Sequence, residues 1–229
     1  MISKKSFRKG QSTLGSMLLT EANLAELIVI GFLLCLSAVP AFAQTIVDEW
    51  ATIKAPPPPA LKAVTIDPKV TGLLILDIIK QNCNAERRPR CVASVPKIQS
   101  LLSQARAKGV PVIYSLGSTG TPADIWKEVT PREGEPVVQA GSDKFFKTDL
   151  EKILKDKGIK TVIAVGTAAH GAVLYTGSEA AKRGFQVIVP VDGMSADNTY
   201  IEQYTAWHLV NNPSYGRAVT LTRIDMIKF

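Results

Sequence analysis

The chain has 229 residues, 46% of them hydrophobic, with 27 Lys and Arg against 20 Asp and Glu and a formal net charge of +7. That length fits one domain with an extension, on a prior of about 100–200 residues per domain. The basic excess is spread out, with no basic run interleaved with aromatics, which argues against nucleic acid and leaves a small anionic molecule as the expected partner.

Residues 1–43 read as a signal peptide. Lys4, Lys5, Arg8 and Lys9 form a basic start, Leu27 to Val39 is an apolar run, and Ala41-Phe42-Ala43 supplies small residues at the positions a signal peptidase reads. The apolar run is short beside the roughly 20 residues needed to span about 30 Å of hydrocarbon. Cleavage after Ala43 therefore predicts an exported protein, periplasmic or secreted, with no membrane attachment afterwards. It removes four basic and two acidic residues, which takes the net charge from +7 to +5. Residues 44–70 read as a Pro-rich tether. Pro56 to Pro59 favour an extended polyproline segment, able to hold the domain away from its neighbours or to lie along its surface.

From residue 71 onward the chain alternates. Short apolar runs at Leu73–Ile79, Val110–Leu116, Thr161–Gly166, Gln186–Val191 and Ala218–Thr222 predict strands buried on both faces. Between them Val95–Lys108, Asp149–Lys157 and Leu174–Arg183 have helical periodicity, and each stops at a glycine, Gly109, Gly158 or Gly184. Strand and helix in turn imply an α/β fold: a doubly wound, mainly parallel sheet with helices on both faces, a Rossmann-like three-layer arrangement. Ligands of such sheets bind outside the carboxyl ends of the strands, which directs attention to the residues after Ile79, Leu116, Gly166 and Val191.

Of three cysteines, Cys35 leaves with the signal, and Cys83 and Cys91 remain as a candidate disulfide in an oxidising compartment. With two histidines, His170 and His208, at no ligand spacing, neither a metal nor another cofactor is expected. His208 follows Trp207 on a predicted helix and reads as structural. The loop from Cys83 to Cys91 carries Arg87, Arg88 and Arg90. Closed by a disulfide beside the first strand, it could clamp a carboxylate or phosphate, or it could be an ordinary stapled surface loop. If unbonded, Cys83 could instead be a displaced nucleophile.

Several blocks together resemble the isochorismatase-like (cysteine hydrolase) family, from about Thr71 to Ile224. They are Gly72-Leu73-Leu74-Ile75-Leu76-Asp77, then Phe145 to Leu150, Gly158 to Gly166, the span Gly166 to Gly184, and Val187 to Asp192 with Ser195-Ala196. The resemblance implies a catalytic aspartate, lysine and cysteine: the cysteine attacks, the aspartate takes its proton and the lysine stabilises the thiolate. Asp77 matches the aspartate. Ala172 stands where the cysteine would, and a methyl group is no nucleophile, so the covalent route through that position is absent. Counted back from Phe145 in the family's register, the lysine's place falls on Gln139, with Lys144 as the candidate a loop shift would bring in. Thr167-Ala168 lies where the family typically has a cis peptide facing substrate. Thr167, Ala168, His170, Gly171, Ala172 and Gln139 are thus the expected substrate-binding residues, and Asp77 and Lys144 the expected catalytic pair.

The family also includes isochorismatases that protonate a vinyl ether with the aspartate and need no cysteine. Asp77 could act in that way if its pKa is raised. A catalytically inactive small-molecule binding protein is the competing reading, and an interaction domain using the family's homo-oligomer interface is a third.

Overall fold

The computed structural model describes residues 45–229, so the signal peptide expected over 1–43 lies outside the described residues. Two compact units are distinguished, divided between Ala55 and Pro56. The described part of the first is an exposed one-turn helix, Ile46–Glu49, continuing into a 3-10 turn over Trp50–Thr52. Its start is held by Asp48, whose carboxylate accepts from the Thr45 amide and hydroxyl, both at 2.8 Å.

The second unit contains, in order, β1 (Val64–Thr65), β2 (Thr71–Leu76), α1 (Pro89–Ala107), β3 (Val112–Leu116), β4 (Val137–Gln139), α2 (Leu150–Asp156), β5 (Thr161–Thr167), α3 (Leu174–Lys182), β6 (Gln186–Pro190), β7 (Met194–Ser195), α4 (Thr199–Asn211), β8 (Val219–Thr222) and β9 (Ile227–Lys228). The expected tether is docked rather than free from Pro56 onward. The Pro56 carbonyl accepts from Gln203 Nε2 at 2.9 Å, the Lys62 amide donates to Leu221 at 2.9 Å, and β1 pairs with β9. Prolines have no amide N–H, so within Pro56–Pro59 the backbone can bond only through carbonyls, as Pro56 does to Gln203.

The main sheet has the order β4-β3-β2-β5-β6-β8, every pair parallel, with β7 joined to the far end of β5. This is the expected doubly wound arrangement. Its strands are continuous apolar runs because successive side chains enter different cores. Leu73 and Ile75 of β2 pack with Val95, Ile98, Leu101 and Leu102 of α1, while Leu74 and Leu76 pack on the opposite face with Leu150, Leu174 and Leu209. From β2 the chain moves outward to β3 and β4, then returns to β2's other side as β5. The β2/β5 boundary is therefore the topological switch point, beyond whose strand ends ligands of such sheets bind.

Helix α1 starts at Pro89, earlier than its apolar periodicity suggests. Proline suits the first helical position because the amide it lacks would have had no partner there. Strand β2 stops at Leu76, short of the expected Ile79, because Asp77 turns into the left-handed region at φ 53°.

Opposite that stop, Gly166 of β5 has φ 135°, and a Cβ there would lie 2.0 Å from the Leu76 carbonyl oxygen. Only glycine allows the two strand ends to approach so closely. Gly166→Ala should lower stability by about 3 kcal/mol or more, the range of severe steric substitutions. Urea denaturation giving a loss below about 1 kcal/mol would show that the strand ends can separate at little cost.

Candidate active site

At the switch point the side chain of Asp77 turns into the protein, and the residue is 6% exposed. Its backbone conformation costs about 1–3 kcal/mol in a non-glycine residue, although aspartate is among the residues that tolerate it best. It is held by the Asp77 amide donating to Ser115 O at 3.3 Å and the Ile79 amide donating to Asp77 O at 2.8 Å. The two carboxylate oxygens have different partners. Oδ1 accepts from Ser115 Oγ at 2.7 Å, and Oδ2 from Lys144 Nζ at 2.8 Å.

Lys144 has no exposed side-chain surface, whereas the Asp77 side chain keeps 9%. All three ammonium protons have acceptors: Asp77 Oδ2, the Leu116 carbonyl at 3.1 Å and the Ala140 carbonyl at 3.0 Å. A buried ammonium satisfied in this way can remain charged. Its position is fixed from behind, where the Lys144 amide donates to Thr176 Oγ1 at 3.3 Å and the Phe145 amide to Asp143 Oδ1 at 2.8 Å. Burial pushes the Asp77 carboxyl above its ordinary value, against the opposing charge and hydrogen bond of Lys144, the hydrogen bond from Ser115 and the charge of Arg88. Burial likewise pushes the Lys144 ammonium below its ordinary value, against the pull of Asp77. Both shifts narrow the gap between the two groups, so moving a proton from lysine to aspartate is easier here than in water.

Gln139 stands elsewhere. It is exposed at the end of β4, and its Nε2 donates to the carbonyls of Gly117, Ser118 and Gly120 at 3.1, 3.2 and 2.8 Å. The lysine register counted from Phe145 is thus corrected. The loop after β4 brings Lys144 to Asp77, and Gln139 braces the loop after β3.

The remaining expected residues cluster at the end of β5. Thr167 is buried, its hydroxyl donating to Ser195 O at 3.1 Å, and the Thr167-Ala168 bond is cis. The Ala168 carbonyl accepts from the amides of Gly171 and Val173 at 3.0 and 3.3 Å, which winds Ala169–Val173 into a wide π turn leading into α3. Ala172 in that turn is 3% exposed and packs in the apolar core. His170 is half-buried, and its Nδ1 has no partner among the described residues. The Ser195 hydroxyl is likewise buried without a partner. His208 lies on α4, its ring 5.6 Å from Tyr204 and 6.4 Å from Tyr215 between centroids, a packing position away from the expected pair.

Cys83 and Cys91 are disulfide-bonded and fully buried, which removes Cys83 as a nucleophile. The loop's arginines do not act together. Arg87 donates to Gln81 O and Asn82 Oδ1, Arg90 forms a two-pronged pair with Glu202, and only Arg88 is buried. Two further contributors are Ser115, bonded to Asp77, and the buried Arg88. Ser115 was traceable in principle as the lone serine in the apolar run of β3.

A doubly wound parallel sheet with a carboxylate and a buried ammonium at its switch point defines an α/β protein with a candidate acid–base site. The Isochorismatase domain description matches residues 71–223, and the chain belongs to that family. It is 38% identical over 113 residues to a secreted isochorismatase effector, Isc1, of Verticillium dahliae, covering 44% of this chain and 60% of that protein. It is 32% identical over 124 residues to an N-carbamoylsarcosine amidase of an Arthrobacter species, covering 42% of this chain and 47% of that one. The aligned stretches thus span about half to three-fifths of these relatives. Among solved structures, an isochorismatase family protein from Desulfovibrio vulgaris superposes with a TM-score of 0.63 at 20% identity, covering 69% of this chain and 95% of the other. An N-carbamoylsarcosine amidase from Thermoplasma acidophilum superposes with a TM-score of 0.59 at 20% identity, covering 68% and 97%. At that identity the superpositions speak for the fold.

Replacing Lys144 by methionine should destabilise the protein at pH 7.5 by about 3–5 kcal/mol, the usual effect of stripping one partner from a buried ion pair. In the variant the folded-state pKa of Asp77 rises further. A carboxyl raised by folding binds more protons folded than unfolded, so stability is lost as pH rises through the folded value. The deficit should therefore be smaller at pH 5 than at pH 7.5. Urea denaturation at both pH values checks this, and equal deficits would mean that Asp77 does not need the lysine's charge.

Proposed function

We propose that this protein is a hydrolase-type member of its family that acts on a small anionic substrate through Asp77, without a covalent intermediate. The observation that carries the reading is the 2.8 Å contact between the fully buried Lys144 ammonium and a carboxylate that retains some exposure. Lys144 has no free surface, so it works through Asp77, and Asp77 is the group that meets a ligand. Ala172, at the place of the family's cysteine, offers no sulfur.

The chemistry that suits a lone acid–base carboxylate is hydrolysis of an enol ether. Asp77, supplied with a proton from Lys144, protonates the terminal carbon of the double bond and leaves an oxocarbenium ion. Water adds to that cation and returns a proton to the Asp77–Lys144 pair, and the hemiketal collapses to an alcohol and a ketone. Burial favours this use, since it raises the carboxyl toward the range where it can hold a proton. Positioned acids of this kind contribute roughly 10²–10⁴-fold.

A second reading has its own support. With Ala172 closing the turn as part of the core, the fold would keep a ligand site but no turnover. Export to a periplasmic or extracellular compartment belongs to both readings, supported by the Cys83–Cys91 bond, which persists where thiols are oxidised. A homo-oligomer also belongs to both. Tyr200, Tyr204 and Trp207 of α4 are all exposed at helical spacing, a surface suited to burial between copies.

The simplest substrate to try is 2-methoxyacrylate, followed by release of the keto acid. Wild type should turn it over, and Asp77→Asn should lower kcat/KM by about 10²–10⁴-fold while still binding it. Turnover that survives in Asp77→Asn would remove the catalytic role. Ligand-induced thermal stabilisation with no turnover in wild type would favour the binding reading. Light scattering should give a mass above that of one chain, and a monomer at micromolar concentration would end the oligomer reading.

A further inference from the structure

The arm from Pro56 to Lys62 joins α4 to β8, the last strand of the main sheet. It bonds to Gln203 of α4 at one end and to Leu221 of β8 at the other. Beside it lies a cleft of about 500 Å³. Its walls include Pro56, Pro57 and Lys62 from the arm, Trp207 and Asn211 from α4, and Arg217 from the turn before β8. That volume is in the range of small-molecule sites. None of its walls belongs to the Asp77 site, which lies three places away in the sheet, at the end of β2.

The walls carry a definite chemistry. Lys62 and Arg217 come from different segments, and no Asp or Glu lines the cleft with them. Neither belongs to an ion pair among the described residues. Two cations lining one cleft without a counter-charge favour an anion there. Trp207 is 39% exposed and offers a flat apolar face. Asn211 donates through Nδ2 to the Trp207 carbonyl at 2.8 Å, which leaves its Oδ1 to accept from a hydroxyl. The prolines have fixed φ, so their wall loses little freedom when a ligand arrives. Tyr200 and Tyr204 do not line the cleft, so it shares only Trp207 with the aromatic surface described above for contact between copies.

We propose that this cleft is a second ligand site, completed by the docked arm, that takes an acidic sugar. The sugar's carboxylate lies between Lys62 and Arg217, its apolar ring face rests on Trp207, and a hydroxyl donates to Asn211. The inference stands apart from any reaction at Asp77. It also gives the proline-rich segment a role, since the arm contributes both a cation and a rigid wall.

The test is a titration of the full, nitrogen-15-labelled chain with methyl glucuronide and with its neutral counterpart, methyl glucoside. The readout is the indole N–H resonance of Trp207, assigned by its loss in Trp207→Phe. In wild type the glucuronide should shift it saturably, with a Kd about fivefold or more below that of the glucoside. Lys62→Met and Arg217→Met should each weaken the glucuronide by about threefold, as for an exposed charge, and the double variant should bind the two sugars equally. Both side chains are exposed, so these variants should fold as wild type does. Glycine in place of Pro56, Pro57 and Pro59 should weaken both sugars by about threefold or more, because the wall then has to be ordered on binding. Asp77→Asn should leave the affinity unchanged. Equal affinity of wild type for the two sugars, including no binding of either, overturns the proposal, as does benzoate binding as tightly as the glucuronide. Loss of the shift in Asp77→Asn would place the sugar in the other site and overturn it too. Unaltered binding in the glycine variant would strike out the arm's part.

Discussion

The buried ion pair between Lys144 and Asp77 sets the geometry of the carboxyl edge of the sheet. A desolvated ammonium must have every proton accepted, and the acceptors come from three places: the turn after β2, the end of β3 and the loop after β4. One side chain thereby ties three adjacent strand ends together. Buried pairs of this kind contribute little net stability compared with a well-packed apolar substitute. Their presence is better explained by what the carboxylate can do once its proton affinity has been altered. The left-handed turn at Asp77 and the close approach at Gly166 are consistent with that, since both are local conformational concessions made at the switch point.

The alanine at position 172 changes the meaning of the pair more than its structure. In a site with a thiol, an aspartate and a lysine share the work of making and holding a thiolate, as the family resemblance implies. With a methyl group in that place, Ala172 packs into the apolar core and brings no proton donor or acceptor of its own. Burial at Asp77 by itself disfavours the carboxylate form. Loss of the sulfur and retention of an acid are therefore compatible.

Much of this was visible in the sequence, for physical reasons. Strands covered on both faces must be apolar without alternation, and four of the sheet's central strands announced themselves in that way. Strand β4 did not, because three residues with one buried side chain leave no pattern. The position of Asp77 followed from the strand that carries it. That of Lys144 did not, since its distance from Phe145 depends on the path of a loop, and counting in the family's register pointed to Gln139. Side-chain reach decided the matter, through carbonyls at Leu116 and Ala140 that no sequence pattern marks. Arg88 was legible only as one of three arginines in a cysteine-bounded loop. Which of them turns inward depends on partners at Asp197 and Glu202, more than a hundred residues away in the chain.

That loop supplies the second constraint on the site. A bond between cysteines eight residues apart removes chain entropy worth roughly 2–3 kcal/mol from the unfolded state. Its local effect is of more consequence, because Cys91 lies inside α1 and Cys83 lies a short way beyond Asp77. The bond therefore fixes the first turn of a long, well-packed helix to the loop leaving the strand that positions Asp77, and Arg88 is held between two anchored points. An arginine on a free loop would give up several rotamers' worth of entropy on being held in one place. Here that ordering is already done in the folded protein, by the disulfide on one side and Asp197 on the other. The pair at Lys144 and the stapled loop thus act from opposite flanks of the switch point, one adjusting the acid and the other fixing a cation at a set place beside it.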